Sequence, residues 1–408
     1  MFAKNSYLYN IIKMINCVKD LNNEIFKKTA RFLAVTLVLA TSVSLLAACK
    51  SDSNDVYTKE FPDVNEIEYN ISEYLKAPKL SDVKLRKSRI DNSVNYALVS
   101  ILLQKAERTA YKEANSAQVA LYDTVNLTFT GVPADESIEL DDMILASMSN
   151  ASSSSGTNLV IGSGSFIGEY YNEKDPSKNN KGFEEQLVGM NVGESKDILV
   201  TFPDTYAEKS LCSVVVKFSV KINSIDRPTL GELTDEACKA YTGYETVEAY
   251  TEYLEEYYSG VYAYDAVYGQ CEIIKECKEI VDVYVDKYIH DNIIYSYGES
   301  LTQKDYEDAY EELYDSIYDK AYSWAVSIAN ERIILKYLFD NCSITLSEEE
   351  FDEMFATDWE DNKDAYKSNY GIETKEDAIE YFGRDELELS YMFEKMIKVL
   401  PDHISIVE

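Results

Sequence analysis

Apolar residues alternate with polar ones between Ala117 and Ile225, and beyond Arg227 they recur every three or four residues. A two-residue period is typical of strands that bury one face, whereas the longer period is typical of amphipathic helices. Glycines and the serine-rich stretch 150–156 separate the alternating runs. The sequence therefore predicts an α+β fold, in which an antiparallel β domain with one short helix near 183–188 is flanked by helical regions.

Helical periodicity also precedes the β region, where apolar residues from Asp91 to about Lys112 predict a single amphipathic helix. In the C-terminal region, polar residues such as Thr302 predict helix N-termini. Five of the 34 tyrosines, from Tyr306 to Tyr322, follow one another at intervals of four residues. We expect these rings to pack helix against helix. Alternatively, some face a cradle, because tyrosine offers a large contact area and a hydroxyl group.

The N-terminal segment carries lysines and an arginine, followed by an apolar run from Phe32 to Ala48 that ends at a cysteine. This run is shorter than a transmembrane helix and contains several Ser and Thr, so it indicates a signal peptide over 1–48. The small residues before Cys49 resemble a lipobox, which implies a lipid on Cys49 and a flexible tether over 49–62. An ordinary signal peptide and an uncleaved anchor are the alternatives. We expect a protein lipid-anchored to the extracytoplasmic face of the cell membrane.

Composition excludes several other classes of function. The chain has 73 acidic and 39 basic residues, and a net charge of −34 repels nucleic acid. Its two histidines, His290 and His403, are far apart, and no CxxC, GxGxxG or P-loop pattern occurs, so we expect neither a metal nor a cofactor. We expect buried free thiols at the remaining cysteines of the body, which are odd in number: Cys212, Cys238, Cys271, Cys277 and Cys342.

The most informative motifs occur in one order: LVIGSGSF from Leu159, GFEEQLVGMNVGE from Gly182, FPDTY from Phe202, and a closing strand VVVKFSVKINSI. The stretch from Asp123 to Ile225 resembles the FKBP-type peptidyl-prolyl isomerase domain of the trigger factor family. The resemblance implies an isomerase domain over 117–226. It also implies a helical chaperone region over 227–408, against which the N-terminal segment 63–116 packs.

The resemblance also implies the residues of a proline-binding pocket. Rotation about an X-Pro amide faces a barrier of about 18 to 20 kcal/mol, because resonance is lost in the twisted state. A dry aromatic pocket favours the twisted amide over the planar one, and a backbone N–H steadies the carbonyl, so neither an acid nor a metal is required. The matching positions are Phe183 at the pocket floor, Phe166 and Ile167 at a wall with the Ile167 N–H as donor, and Phe129, Tyr206 and Phe218 around them.

The sequence departs from the family pattern at two places beside this pocket. The segment 168–181, GEYYNEKDPSKNNK, is inserted between Ile167 and Gly182. After Gly131 an expected Asp-Gly turn is replaced by VPADESIELDDM, in which Ile138 and Glu139 are the nearest stand-ins. Both changes affect the surroundings of the proposed catalytic residues.

Three hypotheses follow for the whole chain. The first is a membrane-anchored peptidyl-prolyl isomerase and chaperone for unfolded or newly exported polypeptides that contain X-Pro bonds. The second is a non-catalytic holdase that grips peptides, and the third is a structural scaffold of the envelope. Nothing before the first helix resembles the ribosome-docking domain of trigger factor, so we expect no ribosome partner.

Overall fold

The computed structural model describes residues 57–59, 61–150, 155–169, 179–203, 206, 208–298 and 300–408. The predicted signal peptide, the predicted lipid-attachment residue Cys49 and most of the insertion 168–181 lie outside the described residues. The chain forms two compact units, one made of 1–85 and 259–407 and the other of 86–258 with Glu408. This division differs from the predicted domain boundaries, because the segments 63–116 and 227–408 are each split between the two units.

The helices and strands have the following bounds in chain order. The strands are β1 (Leu75–Lys76), β2 (Lys84–Arg86), β3 (Arg108–Tyr111), β4 (Thr124–Pro133), β5 (Thr157–Val160), β6 (Ser195–Thr201), β7 (Val215–Pro228), β8 (Glu272–Ile273) and β9 (Ser405–Val407). The helices are α1 (Lys87–Leu103), α2 (Asp142–Ser147), α3 (Phe183–Leu187), α4 (Asp235–Thr242), α5 (Val247–Tyr268), α6 (Lys278–Tyr297), α7 (Gln303–Cys342), α8 (Glu348–Tyr370), α9 (Lys375–Phe382) and α10 (Arg384–Val399).

The unit 86–258 is built around the long strand β7. Strand β4 pairs antiparallel with β7 along its whole length, and β5 pairs antiparallel with β4. On the other side of β7, β6 pairs with its first half and β3 with its last four residues. This antiparallel sheet, with the short helix α3 packed on it, confirms the predicted fold class.

Alternation along β7 explains which face of the sheet is buried. Val216, Phe218 and Val220 are buried, whereas Lys217 and Ser219 between them are exposed. Successive side chains of a strand point to opposite faces, so one face of β7 forms the core and the other meets solvent. Helix α3 covers the buried face and completes one hydrophobic core.

Three local predictions were wrong. The first helix ends at Leu103 rather than near Lys112, because residues 108–111 form β3 against the end of β7. A second short helix, α2, occupies a segment predicted as β structure, and the Asp141 side chain accepts a hydrogen bond from the Met143 N–H at 2.6 Å to cap it. The region between 228 and 400 is not entirely helical, because it contributes the short strand β8, whereas β9 lies after Pro401, where a strand and an ordered tail were both open.

Helices α6 and α7 form a closely packed pair in the other unit. Thr302 caps α7 in a reciprocal arrangement with Asp305, and Ala321, Ala325 and Ala329 are buried. Helices α8 to α10 surround a separate aromatic core. The five cysteines of the described chain are free thiols, as predicted, but only Cys238, Cys277 and Cys342 are buried, whereas Cys212 and Cys271 are partly exposed. Across the described ranges, no helix is long and apolar enough to cross a membrane.

Candidate functional site

Four phenylalanines from separate elements converge at one end of the β unit. The ring centroid of Phe183 on α3 lies 4.6 Å from Phe166, 5.3 Å from Phe218 on β7 and 5.8 Å from Phe129 on β4. Most of these contacts are edge to face, the geometry that aromatic quadrupoles prefer. Phe183 is 1% exposed, whereas Phe129 and Phe166 are half-buried. The cluster therefore has a buried floor at Phe183 and a more accessible rim.

Tyr206 packs edge-on against Phe202, with the ring centroids 4.7 Å apart. Phe202 in turn stacks at 6.5 Å on Phe218. Phe202 was missed as a neighbour of the site, although it belongs to the FPDTY motif. It extends the aromatic cluster from Phe218 to Tyr206.

Gly131 on β4 provides room for the Phe218 ring. The two residues are paired across the strands, and a Cβ atom on Gly131 would lie 2.5 Å from a ring carbon of Phe218. No real side chain tolerates that distance, so the ring would have to shift. A glycine at this position therefore permits the observed position of the Phe218 ring in the cluster.

A buried carboxylate orders the GSGSF loop. Glu184 on α3 accepts hydrogen bonds at Oε2 from the N–H groups of Gly162 and Gly164, at 2.7 and 3.2 Å. Its Oε1 accepts from the Phe166 N–H at 3.1 Å and from Ser163 Oγ at 3.2 Å. Successive backbone N–H groups around an anion form a nest that holds the loop in one conformation.

The role of Glu184 was not predicted. The GFEEQL motif contains two adjacent glutamates, and only the structure shows that Glu184 is buried while Glu185 is exposed. Because Phe183 and Glu184 are consecutive, one turn of helix supplies the pocket floor and the anchor of the wall. Phe166 is thereby held against Phe183.

The residues on the two sides of the insertion lie next to each other. The Phe183 N–H donates a hydrogen bond of 2.7 Å to the Ile167 carbonyl, which closes the gap across the inserted residues. A Cβ atom on Gly182 would lie 2.9 Å from the Gly168 backbone, so glycine permits this close approach. Within the described ranges, nothing accepts a hydrogen bond from the Ile167 N–H. The structure thus places Ile167 beside Phe183 despite the insertion.

The altered hairpin after Gly131 contributes unequally to the site. Ile138 is half-buried and packs on the core of the β unit, whereas Glu139 is exposed. Of the two stand-ins, only Ile138 therefore lies against the domain interior.

Residues 116–223 match the family model of the FKBP-type peptidyl-prolyl cis-trans isomerase. The trigger factor of Finegoldia magna is 29% identical over 208 residues, which cover 51% of this chain and 40% of that protein. The trigger factor of Macrococcus caseolyticus is 35% identical over 167 residues, which cover 41% of this chain and 32% of that protein. The matches thus span less than half the length of these relatives.

A solved structure of the trigger factor chaperone, which concerns promiscuous substrate recognition in folding and assembly, is 15% identical. It covers 80% of this chain and 72% of that one with a TM-score of 0.20, which is too low to establish a shared arrangement. The antiparallel sheet, the aromatic cluster and the family match define an FKBP-type peptidyl-prolyl isomerase domain. The chain is similar to trigger factors over 41 to 51% of its length and carries this FKBP-type domain.

Proposed function

We propose that the chain is an exported peptidyl-prolyl cis-trans isomerase and chaperone, tethered to the outer face of the cell membrane through a lipid on Cys49. The observation that carries the enzymatic part is the convergence of Phe129, Phe166, Phe183 and Phe218 within one aromatic cluster. The membrane location rests on the signal pattern before Cys49 and on the polar segment that follows it.

The catalytic step requires only binding and positioning. A proline ring of the substrate sits on Phe183, between the rims formed by Phe129 and Phe166. The aromatic surroundings exclude water from the amide, which disfavours the planar, charge-separated form relative to the twisted one. The Ile167 N–H donates a hydrogen bond to the substrate carbonyl. Glu184 acts as a positioning residue, because it holds the loop that carries Phe166.

The substrates that fit this proposal are unfolded polypeptides that have just crossed the membrane. Uncatalysed proline isomerisation takes about 10 to 100 s at 25 °C, so it limits the folding of such chains. An isomerase tethered at the point of emergence shortens this phase while its helical unit holds the unfolded segment.

Refolding of a denatured protein with a proline-limited slow phase tests the chaperone and isomerase together. We expect residues 50–408 to accelerate the slow phase and to reduce aggregation. Aggregation suppressed without acceleration would contradict catalysis and would favour the second candidate, a non-catalytic holdase. The inserted residues beside the pocket and the exposed Glu139 favour that alternative.

The membrane anchor has its own test. In cells fed a labelled fatty acid, the native chain should carry label and sediment with membranes, and Cys49→Ser should lose both properties. Cys212→Ser, which changes a cysteine of the folded body, is the matched control. Label that persists in Cys49→Ser would contradict lipid attachment at this residue.

A further inference from the structure

The five-tyrosine series on α7 forms a ladder of neighbouring rings. The centroids of Tyr306, Tyr310, Tyr314, Tyr318 and Tyr322 follow one another at 6.5, 5.4, 5.0 and 5.9 Å. Tyr306 is buried, and the other four are half-buried. The ladder therefore presents a continuous, partly accessible aromatic strip.

Carboxylates border this strip. Asp286 on α6 accepts a hydrogen bond from the Tyr310 hydroxyl at 3.4 Å, and Glu276, just before α6, accepts one from Tyr322 at 2.6 Å. The hydrogen bond to Glu276 raises the pKa of Tyr322 most, followed by burial and by the charge of Glu276, and the charge of Asp282 adds a smaller effect in the same direction. A strip of aromatic faces beside negative charges suits a cation, because both the ring quadrupole and the carboxylate attract it.

The chain itself places a cation there. Lys59 Nζ lies 3.2 Å from Asp286 Oδ2, 5.6 Å from the ring centroid of Tyr310 and 5.3 Å from that of Phe61. The Lys59 side chain is only 20% exposed, so the contact is partly shielded from solvent. Lys59, which comes from the N-terminal end of the described chain, thus occupies the cation-binding position formed by Asp286 and Tyr310.

The neighbours of Lys59 occupy the same end of the ladder. The Tyr57 ring lies 4.8 Å from Tyr306, and its N–H donates a hydrogen bond to Leu301. The Phe61 ring lies edge-on at 5.3 Å from His290. Alternate residues of an extended chain point the same way, about 6.6 Å apart, which is close to the ring spacing of the ladder. We call the described residues of this segment, 57–59 and 61, the strap.

We propose that the ladder and the α6 carboxylates form a binding groove for extended polypeptide segments that carry a cation flanked by aromatic residues, and that the strap is its internal, displaceable occupant. The strap covers the rungs Tyr306 and Tyr310. The ladder continues along α7 through Tyr314 to Tyr322, where a longer segment finds further rings and carboxylates. The inference rests on the proposed role in binding unfolded chains, but it concerns a site separate from the isomerase pocket.

An internal occupant lowers the apparent affinity for any competitor. A tethered segment has an effective local concentration in about the millimolar range, so it outcompetes a free segment of the same chemistry. If the strap is bound in about 90 to 99% of molecules, its release raises the apparent affinity for a free peptide about 10- to 100-fold. The strap thereby limits access to the groove.

The test uses a fluorescent peptide with the strap sequence, Tyr-Thr-Lys-Glu-Phe, titrated into the full chain in mild detergent. Lys59→Glu should release the strap, because a carboxylate is repelled by Asp286, and should tighten peptide binding at least tenfold. Lys59→Arg retains the charge and should bind the peptide as weakly as the native chain. In the Lys59→Glu background, Asp286→Asn should weaken binding at least fivefold, whereas Asp352→Asn, an equal charge change at an exposed site on α8, should not.

Peptide binding that is equal in the native chain and in Lys59→Glu would overturn the strap. Binding that is unaffected by Asp286→Asn would overturn the groove. Circular dichroism of each variant checks that it is folded. Isomerisation of a short Phe-Pro peptide should be unchanged in Lys59→Glu, because Lys59 belongs to the helical unit. A failure of the strap is therefore distinguishable from a failure of the isomerase assignment.

Discussion

Replacing Glu184 with glutamine should loosen the wall of the isomerase pocket while leaving its floor intact. The native carboxylate accepts from two N–H groups at Oε2 and from the Phe166 N–H and Ser163 at Oε1. An amide retains one acceptor oxygen, which can serve the Gly162 and Gly164 pair. Its NH2 group then faces the Phe166 N–H, and two donors repel each other.

The magnitude follows from the hydrogen bond that is lost. A hydrogen bond to a charged group contributes about 1.5 to 3 kcal/mol, and Glu184 is only 6% exposed, so solvent replaces it poorly. We expect a loss of about 2 kcal/mol in the free energy of unfolding. Since about 1.4 kcal/mol corresponds to a factor of ten, a comparable loss in the transition state lowers kcat/KM about tenfold or more.

Urea denaturation and NMR exchange on a Phe-Pro peptide measure the two effects separately. Glu185→Gln is the matched control on the same helix, because Glu185 is exposed and, among the described residues, its carboxylate accepts only from the Gly182 N–H at 3.2 Å. It should cost less than about 1 kcal/mol and leave kcat/KM within about twofold of the native value. A Glu184→Gln variant that is less stable but fully active would refute a positioning role for the carboxylate.

Three further variants probe other contacts. Gly131→Ala should lower both the free energy of unfolding and the isomerase activity, because its Cβ would displace the Phe218 ring. Urea denaturation should show a loss of about 1 to 3 kcal/mol. Unchanged activity would contradict the steric role. Burial raises the pKa of Asp291 to about 7, so its protonated form favours the folded state and stability should fall as pH rises from about 4 to 7. Asp291→Asn should remove this pH dependence and raise the free energy of unfolding at pH 8 by about 2 kcal/mol, a value that allows for the partial exposure of Asp291. Urea titrations across pH measure both effects. Arg332→Met should cost about 3 to 5 kcal/mol in thermal unfolding, because Glu386 loses its buried partner, and adding Glu386→Leu should recover most of the loss.

Local patterns in the sequence were sufficient to predict the sheet, whereas the candidate aromatic residues came from the resemblance to the FKBP-type family. The alternation along β7 follows directly from the burial of one face, so spacing alone predicts that Phe218 is buried, but not that it belongs to a pocket. The order of the motifs suggested Phe129, Phe166 and Phe183 as candidates, and their rings contact one another in the structure. Their catalytic roles stay a prediction until activity is measured.

Features that depend on distant partners could not be predicted in the same way. Residues 108–111 continue a helical pattern, but they pair with the end of β7, which lies more than a hundred residues later. Glu184 and Glu185 look alike in sequence, and only the position of the GSGSF loop distinguishes the buried one. Likewise, nothing in the spacing of the tyrosines indicated that Lys59 lies on the ladder.

The most direct test of the isomerase assignment is the cis-to-trans rate of a short Phe-Pro peptide in the presence of residues 50–408. The assignment predicts acceleration that Phe183→Ala abolishes while its helical unit stays folded. Phe351→Ala, which removes an equally buried ring from the helical unit, should keep the acceleration. No acceleration by the folded native chain, or equal rates with and without the Phe183 ring, would contradict an isomerase pocket at this site.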